Sequence, residues 1–222
     1  LVVGAGNAGL CAALSARESG ASVAVLECAP QAERGGNSAF TAGAMRVVYH
    51  GDDDLRALMP DLAEEMIGQT DFGTYTEEQF FGDMARVTEY RADPDLVEQL
   101  VTKSLDTLTW MTTKGVRFMP IYGRQAFKID GRFKFWGGLT VESVGGGPGL
   151  VDFLAAACER EGITILYEHR ATALLRDGAR VEGVRVRQRA EQYDIRADSV
   201  ILASGGFEAN NQWRAQYLGP GW

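Results

Sequence analysis

Apolar and polar positions follow two rhythms along this chain, one of short runs and one of helical stripes. Leu1–Val3 runs into Gly4-Ala5-Gly6-Asn7-Ala8-Gly9, and a helix-like segment, Leu10–Ser19, follows. A second apolar run, Ala21–Leu26, ends on the acid Glu27. That order predicts a βαβ unit with parallel strands. The next stretch, Glu33–Gly43, is polar and rich in glycine. Helical patterns come after it. Asp53–Gln69 is acidic and modestly periodic. Thr76, with Gln79 three residues on, reads as a capping box opening a helix to about Tyr90. Asp93 and Pro94 open a further helix to about Lys114, with Gly115 as its stop. Its stripe of Val97, Leu100, Val101, Leu105, Leu108 and Met111 is expected to pack into a core.

Extended patterns dominate the rest. Val116–Tyr122 and Ala126–Trp136 read as strands or extended loops, with Asp130-Gly131 as a hairpin turn. Gly145–Gly149 feeds a helix, Leu150–Glu161, closed by Gly162, and Ile163–Tyr167 is a strand. Ala171–Leu175, Val181–Arg187 and Tyr193–Arg196 stand at hairpin spacing and predict an antiparallel meander. Val200–Ala203 is a last apolar strand leading into Ser204-Gly205-Gly206-Phe207. The expected organisation is a βαβ unit and glycine loop over 1–50, a helical and hairpin insertion over 51–147, and a return helix, meander and closing strand over 148–222.

Composition narrows the partners. The 222 residues are 45% hydrophobic and 23% charged, as in a soluble globular protein. A net charge of −8 and no run of Lys or Arg argue against nucleic acid and anionic membrane surfaces. No apolar stretch is long enough to span a bilayer, and no secretory signal precedes the first strand. Cys11, Cys28 and Cys158 form no CxxC pair, which fits a reducing cytoplasm and excludes a cysteine-ligated iron–sulfur or zinc site within this chain. His50 and His169 are isolated from other ligand types, so no metal is expected. Glycines make up about 12% of the chain against a usual share of about 7%. They cluster at Gly4–Gly9, Gly35–Gly43, Gly137–Gly149 and Gly205–Gly221, which suggests backbone brought close to a large ligand. A first strand of three residues, where five or six is usual, and an end at Gly219-Pro220-Gly221-Trp222 read as a piece of a longer protein.

The first glycine cluster carries the chemistry. Gly4 permits the tight turn off the strand, Gly6 lets backbone approach a pyrophosphate, and Gly9 lets the helix pack close to the sheet. The pyrophosphate would sit at the helix N-terminus, where free N–H groups and the dipole favour negative charge. Glu27 stands 18 residues past Gly9, where a carboxylate accepts hydrogen bonds from a ribose diol. A plain nicotinamide domain would continue with another crossover and has no place for the meander. The observed order suits a flavin-binding fold.

These residues resemble the flavoprotein family of fumarate reductases, succinate dehydrogenases and ketosteroid dehydrogenases. The resemblance rests on Gly4–Gly9, on Gly35-Gly36-Asn37-Ser38 with Ala42-Gly43, on Asp95-Leu96-Val97 through Trp110-Met111, and on Ala203-Ser204-Gly205-Gly206-Phe207-Glu208-Ala209-Asn210. Within the family, Glu33–Met45 and Tyr122–Phe127 through Phe135–Leu139 look most like tricarballylate dehydrogenase, a look shared with the precorrin-3B synthases of the CobZ type. The resemblance implies an α/β fold of the glutathione-reductase type, in which a Rossmann-like parallel sheet and an antiparallel meander bind FAD and a helical insertion is added. Gly4, Gly6, Asn7 and Ala8 would face the pyrophosphate and Glu27 the adenosine ribose, with Gly9 and Cys28 also counted among the cofactor-binding residues. Gly35, Gly36, Asn37, Ser38, Thr41, Ala42 and Gly43 would run past the flavin, presenting backbone N–H groups and hydroxyls. Ala171 would contact the adenine through its backbone, and Ala203, Ser204 and Gly205 would close the site.

Implied further are hydride exchange between flavin N5 and a carbon next to a carboxylate, a small carboxylate substrate, and a membrane or iron–sulfur electron-transfer partner. The family's catalytic arginine and substrate clamp lie after the small-Gly-Gly-Phe motif, so no catalytic residue is assigned here. Arg124, Lys128, Arg132 and Lys134 are the one basic cluster that a polycarboxylate could use, but a solvated hairpin is the better account of them, since charged residues are mostly exposed. A precorrin-oxidising flavoprotein and a non-catalytic cofactor-binding fragment stay open beside the leading reading.

Overall fold

The computed structural model describes residues Leu1–Gly221. It divides into two compact units, one of Leu1–Asn37 with the chain from Cys158 onward, the other of Ser38–Ala157. The first unit opens with β1 (Val2–Val3), α1 (Asn7–Glu18) and β2 (Ala24–Leu26). β1 and β2 are parallel, with Val2 opposite Val25 and Val3 opposite Leu26. α1 begins three residues before the periodicity suggests, because Gly6 takes the extended N-cap conformation and the helix starts directly on Asn7. β2 begins later than Ala21, since Gly20 N–H and Ala21 N–H close the end of α1 onto Arg17 and Ala16 carbonyls at 2.9 and 3.1 Å.

The second unit contains β3 (Ala44–Met45), α2 (Asp52–Leu58), α3 (Glu64–Gly68), β4 (Thr70–Asp71), α4 (Glu77–Val87), α5 (Pro94–Thr102) and α6 (Ser104–Thr113). It continues with β5 (Phe118–Pro120), α7 (Tyr122–Gln125), β6 (Ala126–Ile129), β7 (Arg132–Phe135) and β8 (Val141–Ser143). The single helix expected over Asp53–Gln69 is two, because Pro60 has no amide to carry the ladder across. The capping box is present: Gln79 N–H donates to Thr76 Oγ1 and Thr76 N–H donates to Gln79 Oε1.

The expected helix over Asp93–Lys114 is broken at Lys103 (φ −105°, ψ 3°). Buried Ser104 explains the break: its hydroxyl donates to the Val101 carbonyl and accepts from Val48 N–H, both at 3.0 Å. Val101, Leu108 and Met111 of the stripe are buried, whereas Leu100 is 47% exposed. Asp130 and Gly131, at φ 50° and 83°, turn the β6–β7 hairpin as the mirror-type turn requires. Strand orders are β3-β8-β5 and β4-β7-β6. Strands of two or three residues at β3, β4 and β8 carry no alternation to read, and pairing with distant partners defines them.

The chain leaves the second unit within α8 (Gly146–Arg160) and returns through β9 (Thr164–Leu166), β10 (Arg170–Asp177), β11 (Arg180–Gln188), β12 (Glu191–Arg196), β13 (Ile201–Leu202) and α9 (Asn211–Leu218). The first unit's central sheet has the order β13-β1-β2-β9, and its three pairings are parallel. The meander β10-β11-β12 is antiparallel. It lays Val184 and Val186 on Val3 and Leu26 of the parallel sheet, with Ala171 and Ile195 packed alongside. Each buried side chain of this size contributes about 1.5–3 kcal/mol, so the meander is bonded to the sheet mainly by its inward valines. Parallel sheet, meander and helical insertion make an α/β fold of the expected kind.

Candidate functional site

The carboxyl ends of the parallel strands bring several of the expected residues together. Gly4 leaves β1 at φ 105°, a conformation open to glycine. A methyl group there would lie 2.4 Å from the Ala203 carbonyl oxygen and 3.1 Å from Ser204 Cα. A methyl at Gly9 would lie 1.9 Å from the Gly4 carbonyl oxygen. Both glycines are therefore required by close approach of the chain to itself, the turn and the packing that the fingerprint assigns to them. Ala203 N–H donates to the Val3 carbonyl at 2.8 Å, which fixes the closing strand beside this turn.

The turn hands the chain to α1 at Gly6. No side chain caps this helix end and no acidic residue lies in its first turn. First-turn amides have no intrahelical acceptor, and with the positive end of the dipole they form a donor set for an anion. Asn7 and Ala8 belong to that turn. Asn7 also accepts from Cys11 Sγ at 3.5 Å.

Glu27 sits at the end of β2 and is 6% exposed. Its two oxygens are held separately: Ala5 N–H donates to Oε2 and Ala29 N–H to Oε1, each at 2.9 Å. Its backbone is zipped to the β9–β10 connection, donating to the Leu166 carbonyl at 2.9 Å and accepting from His169 N–H at 2.8 Å. A carboxylate oxygen accepts more than one bond, so each retains capacity for a diol hydroxyl. Cys28 is exposed. Its thiol pKa is raised by partial burial and by the neighbouring Glu27 charge, and Arg170 acts in the opposite direction. Ala171 is on β10 opposite Val186, and Gly205 is exposed at φ 73°.

Asn37 lies in a short 3-10 turn, Gly36–Phe40, and its amide donates to Glu208 at 2.8 Å. Gly35 and Gly36 precede it at φ 101° and 50°. Glu208 belongs to the Ala203–Asn210 motif, but no local pattern signals this anchoring role toward a partner 171 residues away.

In the second unit, Ser38, Thr41, Ala42 and Gly43 are gathered against the glycine-rich start of α8. Thr41 Oγ1 donates to the Ser38 carbonyl at 2.9 Å and accepts from Gly43 N–H at 3.1 Å. Gly147 N–H donates to the Thr41 carbonyl at 3.0 Å. A methyl at Gly43 would lie 2.6 Å from the Gly146 carbonyl carbon, and one at Gly147 would lie 2.2 Å from the Ser38 carbonyl oxygen. Gly138 is crowded by the Tyr75 ring at 2.2 Å. The close approach that the glycine clusters over 35–43 and 137–149 suggested toward a ligand is met at these positions by the chain's own atoms.

The basic hairpin divides its cations, with Arg132 and Lys134 on one face and Lys128 on the other. Cross-strand pairs share a face, so Lys128 opposite Phe133 lies on one face and Lys134 opposite Phe127 on the other. Lys134 is paired with Asp71 at 3.4 Å, and Arg132 donates to the Thr70 carbonyl at 3.3 Å. Trp136 is 60% exposed and edge-on to Phe127, and Phe135 is stacked on Phe72 in the interior. Both faces of the hairpin carry aromatic rings, Phe133 and buried Phe135 on one and exposed Phe127 on the other. Among the described residues no cluster of His, Cys, Asp and Glu could hold a metal ion, and no helix is long and apolar enough to cross a membrane.

The residues present fit FAD: uncapped first-turn amides for a pyrophosphate, and a buried carboxylate for a ribose. Comparison with known proteins agrees. Residues 1–221 match the model of the FAD binding domain family. The chain is 29% identical over 222 residues to the fumarate reductase (cytochrome) of Shewanella frigidimarina, covering 99% of this chain and 35% of that protein. The open conformation of a flavocytochrome c3 fumarate reductase superposes with a TM-score of 0.71 at 28% identity, over 97% of this chain and 35% of that one. A 3-ketosteroid-Δ4-(5α)-dehydrogenase from Rhodococcus jostii RHA1 shares the fold, with a TM-score of 0.74 at 22% identity over 97% of this chain and 47% of that one. The chain thus spans about a third of the curated relative it matches. With FAD as its cofactor, it belongs to the FAD binding domain family, that of the fumarate reductase and succinate dehydrogenase flavoproteins.

Proposed function

We propose that this chain is the FAD-holding portion of an oxidoreductase that exchanges hydride between flavin N5 and a carbon alpha or beta to a carboxylate, with a tricarballylate-like acid as substrate. The observation that carries the cofactor half is the α1 N-terminus standing uncapped beside a buried Glu27. The likeness to a fumarate reductase supports the carboxylate half. Bound FAD would supply a two-electron acceptor. The chain's own residues would bind and orient it: the Gly6–Gly9 amides on the pyrophosphate and Glu27 on the ribose diol. The flavin-end role of Ser38–Gly43 is carried over from the resemblance alone. We assign the acid–base group and substrate clamp to parts of the protein outside this chain. We also propose a redox partner, membrane-bound or iron–sulfur, and, from the three free thiols, a reducing cytoplasm.

The test uses the full-length protein reconstituted with FAD under anaerobic conditions. Tricarballylate should bleach the oxidised flavin, and fumarate should reoxidise the reduced form. A flavin that forms but responds to no carboxylic acid would sink the substrate reading and leave the cofactor reading standing.

A further inference from the structure

The outer face of the β10-β11-β12 meander carries a charge arrangement to which the proposed FAD contacts assign no role. Residues 170–196 contain seven arginines against four carboxylates, in a chain whose net charge is −8. Register determines which of them share a face. Val184 and Val186 turn inward to the core, so Arg185 and Arg187 face outward by the period of two. Arg187 stands directly opposite Arg170 on one side and Gln192 on the other.

In the next row Arg185 faces Asp194 and binds it through two nitrogens at 2.9 and 3.2 Å. Arg196 is likewise bonded to Glu182. Arg170 and Arg187 are exposed; Arg170 acts electrostatically on the Cys28 thiol, and neither has a salt bridge or side-chain hydrogen bond among the described residues. Like charges opposed across a ladder, with Cβ atoms about 4.5–5.5 Å apart, destabilise the sheet. The fold therefore gains nothing from this pair, while an external anion would gain two guanidinium forks. The row is firmly placed: His169 N–H to the Glu27 carbonyl at 2.8 Å and Glu168 N–H to the Ala29 carbonyl at 3.1 Å fix the start of β10.

We propose that Arg170 and Arg187, with the Gln192 amide as third donor, form a binding site for a phosphate monoester dianion. A phosphomonoester carries about −1.5 to −2 charges at neutral pH and so matches two guanidinium groups. A single carboxylate would leave one of them unmatched. Guanidinium also offers planar paired donors that suit phosphate oxygens. The dianion has two sources of the same chemistry, a soluble phosphate ester and the headgroup of a phospholipid.

The experiment titrates the full-length, FAD-loaded protein with inorganic phosphate at constant ionic strength, following backbone amide shifts at residues 170, 187 and 192. In parallel, the same protein is sedimented with phosphatidylcholine vesicles lacking or containing phosphatidic acid. Phosphate should give saturable shifts in the wild type. Arg170→Gln and Arg187→Gln should each weaken binding by about one to two decades, the worth of a charge-assisted contact. Arg180→Gln, off the row, should leave it unchanged. Arg187→Glu should abolish binding yet raise the melting temperature, because it replaces repulsion opposite Arg170 with attraction. That pairing separates loss of the site from loss of the fold. Sedimentation only with phosphatidic acid vesicles identifies the headgroup as source, and free phosphate binding without sedimentation identifies a soluble ester. Non-saturable shifts, or equal affinity in the wild type and the Arg170→Gln/Arg187→Gln double variant, would overturn the site.

Discussion

At the scale of single residues, Glu27 is both a candidate ligand and a structural clamp. From its place at a strand end the sequence identifies an acid suited to a ribose. The structure adds that its oxygens hold the Ala5 and Ala29 amides, and Ala5 is fully buried. Glutamine offers one acceptor oxygen, so Glu27→Gln leaves one of these N–H groups facing an NH2 donor. An unsatisfied buried amide costs about 1–3 kcal/mol. The cofactor-free Glu27→Gln protein should therefore unfold at lower urea than wild type, and equal midpoints would show that the clamp is dispensable. The thiols make a second residue-scale prediction. Burial raises the pKa of Cys11 to about 12 and that of Cys158 to about 11, and the thiolate is the reactive form. Iodoacetamide at neutral pH should thus modify exposed Cys28 first, with Cys11 and Cys158 reacting only after unfolding. FAD should slow the labelling of Cys28 if the ribose lies at Glu27, and mass mapping of the alkylated peptides reads both outcomes.

Two glycines in helices separate propensity from packing at the scale of elements. Glycine to alanine inside a helix normally stabilises by about 0.5–1 kcal/mol. Gly82 in α4 has nothing within 4 Å of an added methyl group, so Gly82→Ala should raise stability by that amount. Gly147 in α8 would drive its methyl to 2.2 Å from the Ser38 carbonyl oxygen and 2.7 Å from that of Thr41. Gly147→Ala should lower stability and disturb the Ser38–Gly43 loop, reversing the sign that propensity alone predicts. Denaturant midpoints of the two variants decide the matter.

Asp83 adds a pH dependence at the same scale. Hydrogen bonds from Arg86 and Tyr75, with Arg46 nearby, hold its carboxyl below the usual carboxylate range. Its folded pKa is below its unfolded one, so the stabilisation is present above about pH 3.9 and is lost as pH falls through the folded value. With its side chain a third exposed, the effect is under about 1 kcal/mol. Asp83→Asn should flatten the acid limb of the urea midpoint below about pH 5, and unchanged steepness would refute the assignment. Elements with local causes were legible in sequence: the Thr76–Gln79 box and the Asp130-Gly131 turn depend on residues within a few positions. The break at Lys103 was not, because it depends on Ser104 meeting Val48, 56 residues away.

Across the whole molecule, the fold class was legible because the run of strand, glycine turn, helix, strand and meander is an order that few architectures accept. Of the candidate site, the turn at Gly4, the close packing at Gly9 and the strand-end place of Glu27 were legible, although Gly4 is crowded by Ala203 and Glu27 is bonded to Leu166 and His169, all far along the chain. It was not legible that the glycines of the later clusters crowd against the chain itself, since the crowding atoms are remote in sequence. Ligand linkage tests the assembled reading. A ligand that binds only the native state raises stability by RT ln(1 + [L]/Kd), about 2.7 kcal/mol at a hundredfold excess over Kd. FAD should raise the melting temperature of the full-length protein in a concentration-dependent way, far more than that of residues 1–222 alone, and NAD⁺ at equal concentration should not. FMN shares the flavin and lacks the adenosine that Glu27 would hold, so it should fall between them. Glu27→Ala lowers the baseline by losing the clamp, which is why the shift between cofactor-free and loaded protein is the quantity to compare. That shift should shrink for FAD in Glu27→Ala and stay the same for FMN. A shift with NAD⁺ and none with FAD would reverse the choice of cofactor, and equal shifts for FAD and FMN would remove Glu27 from the adenosine end.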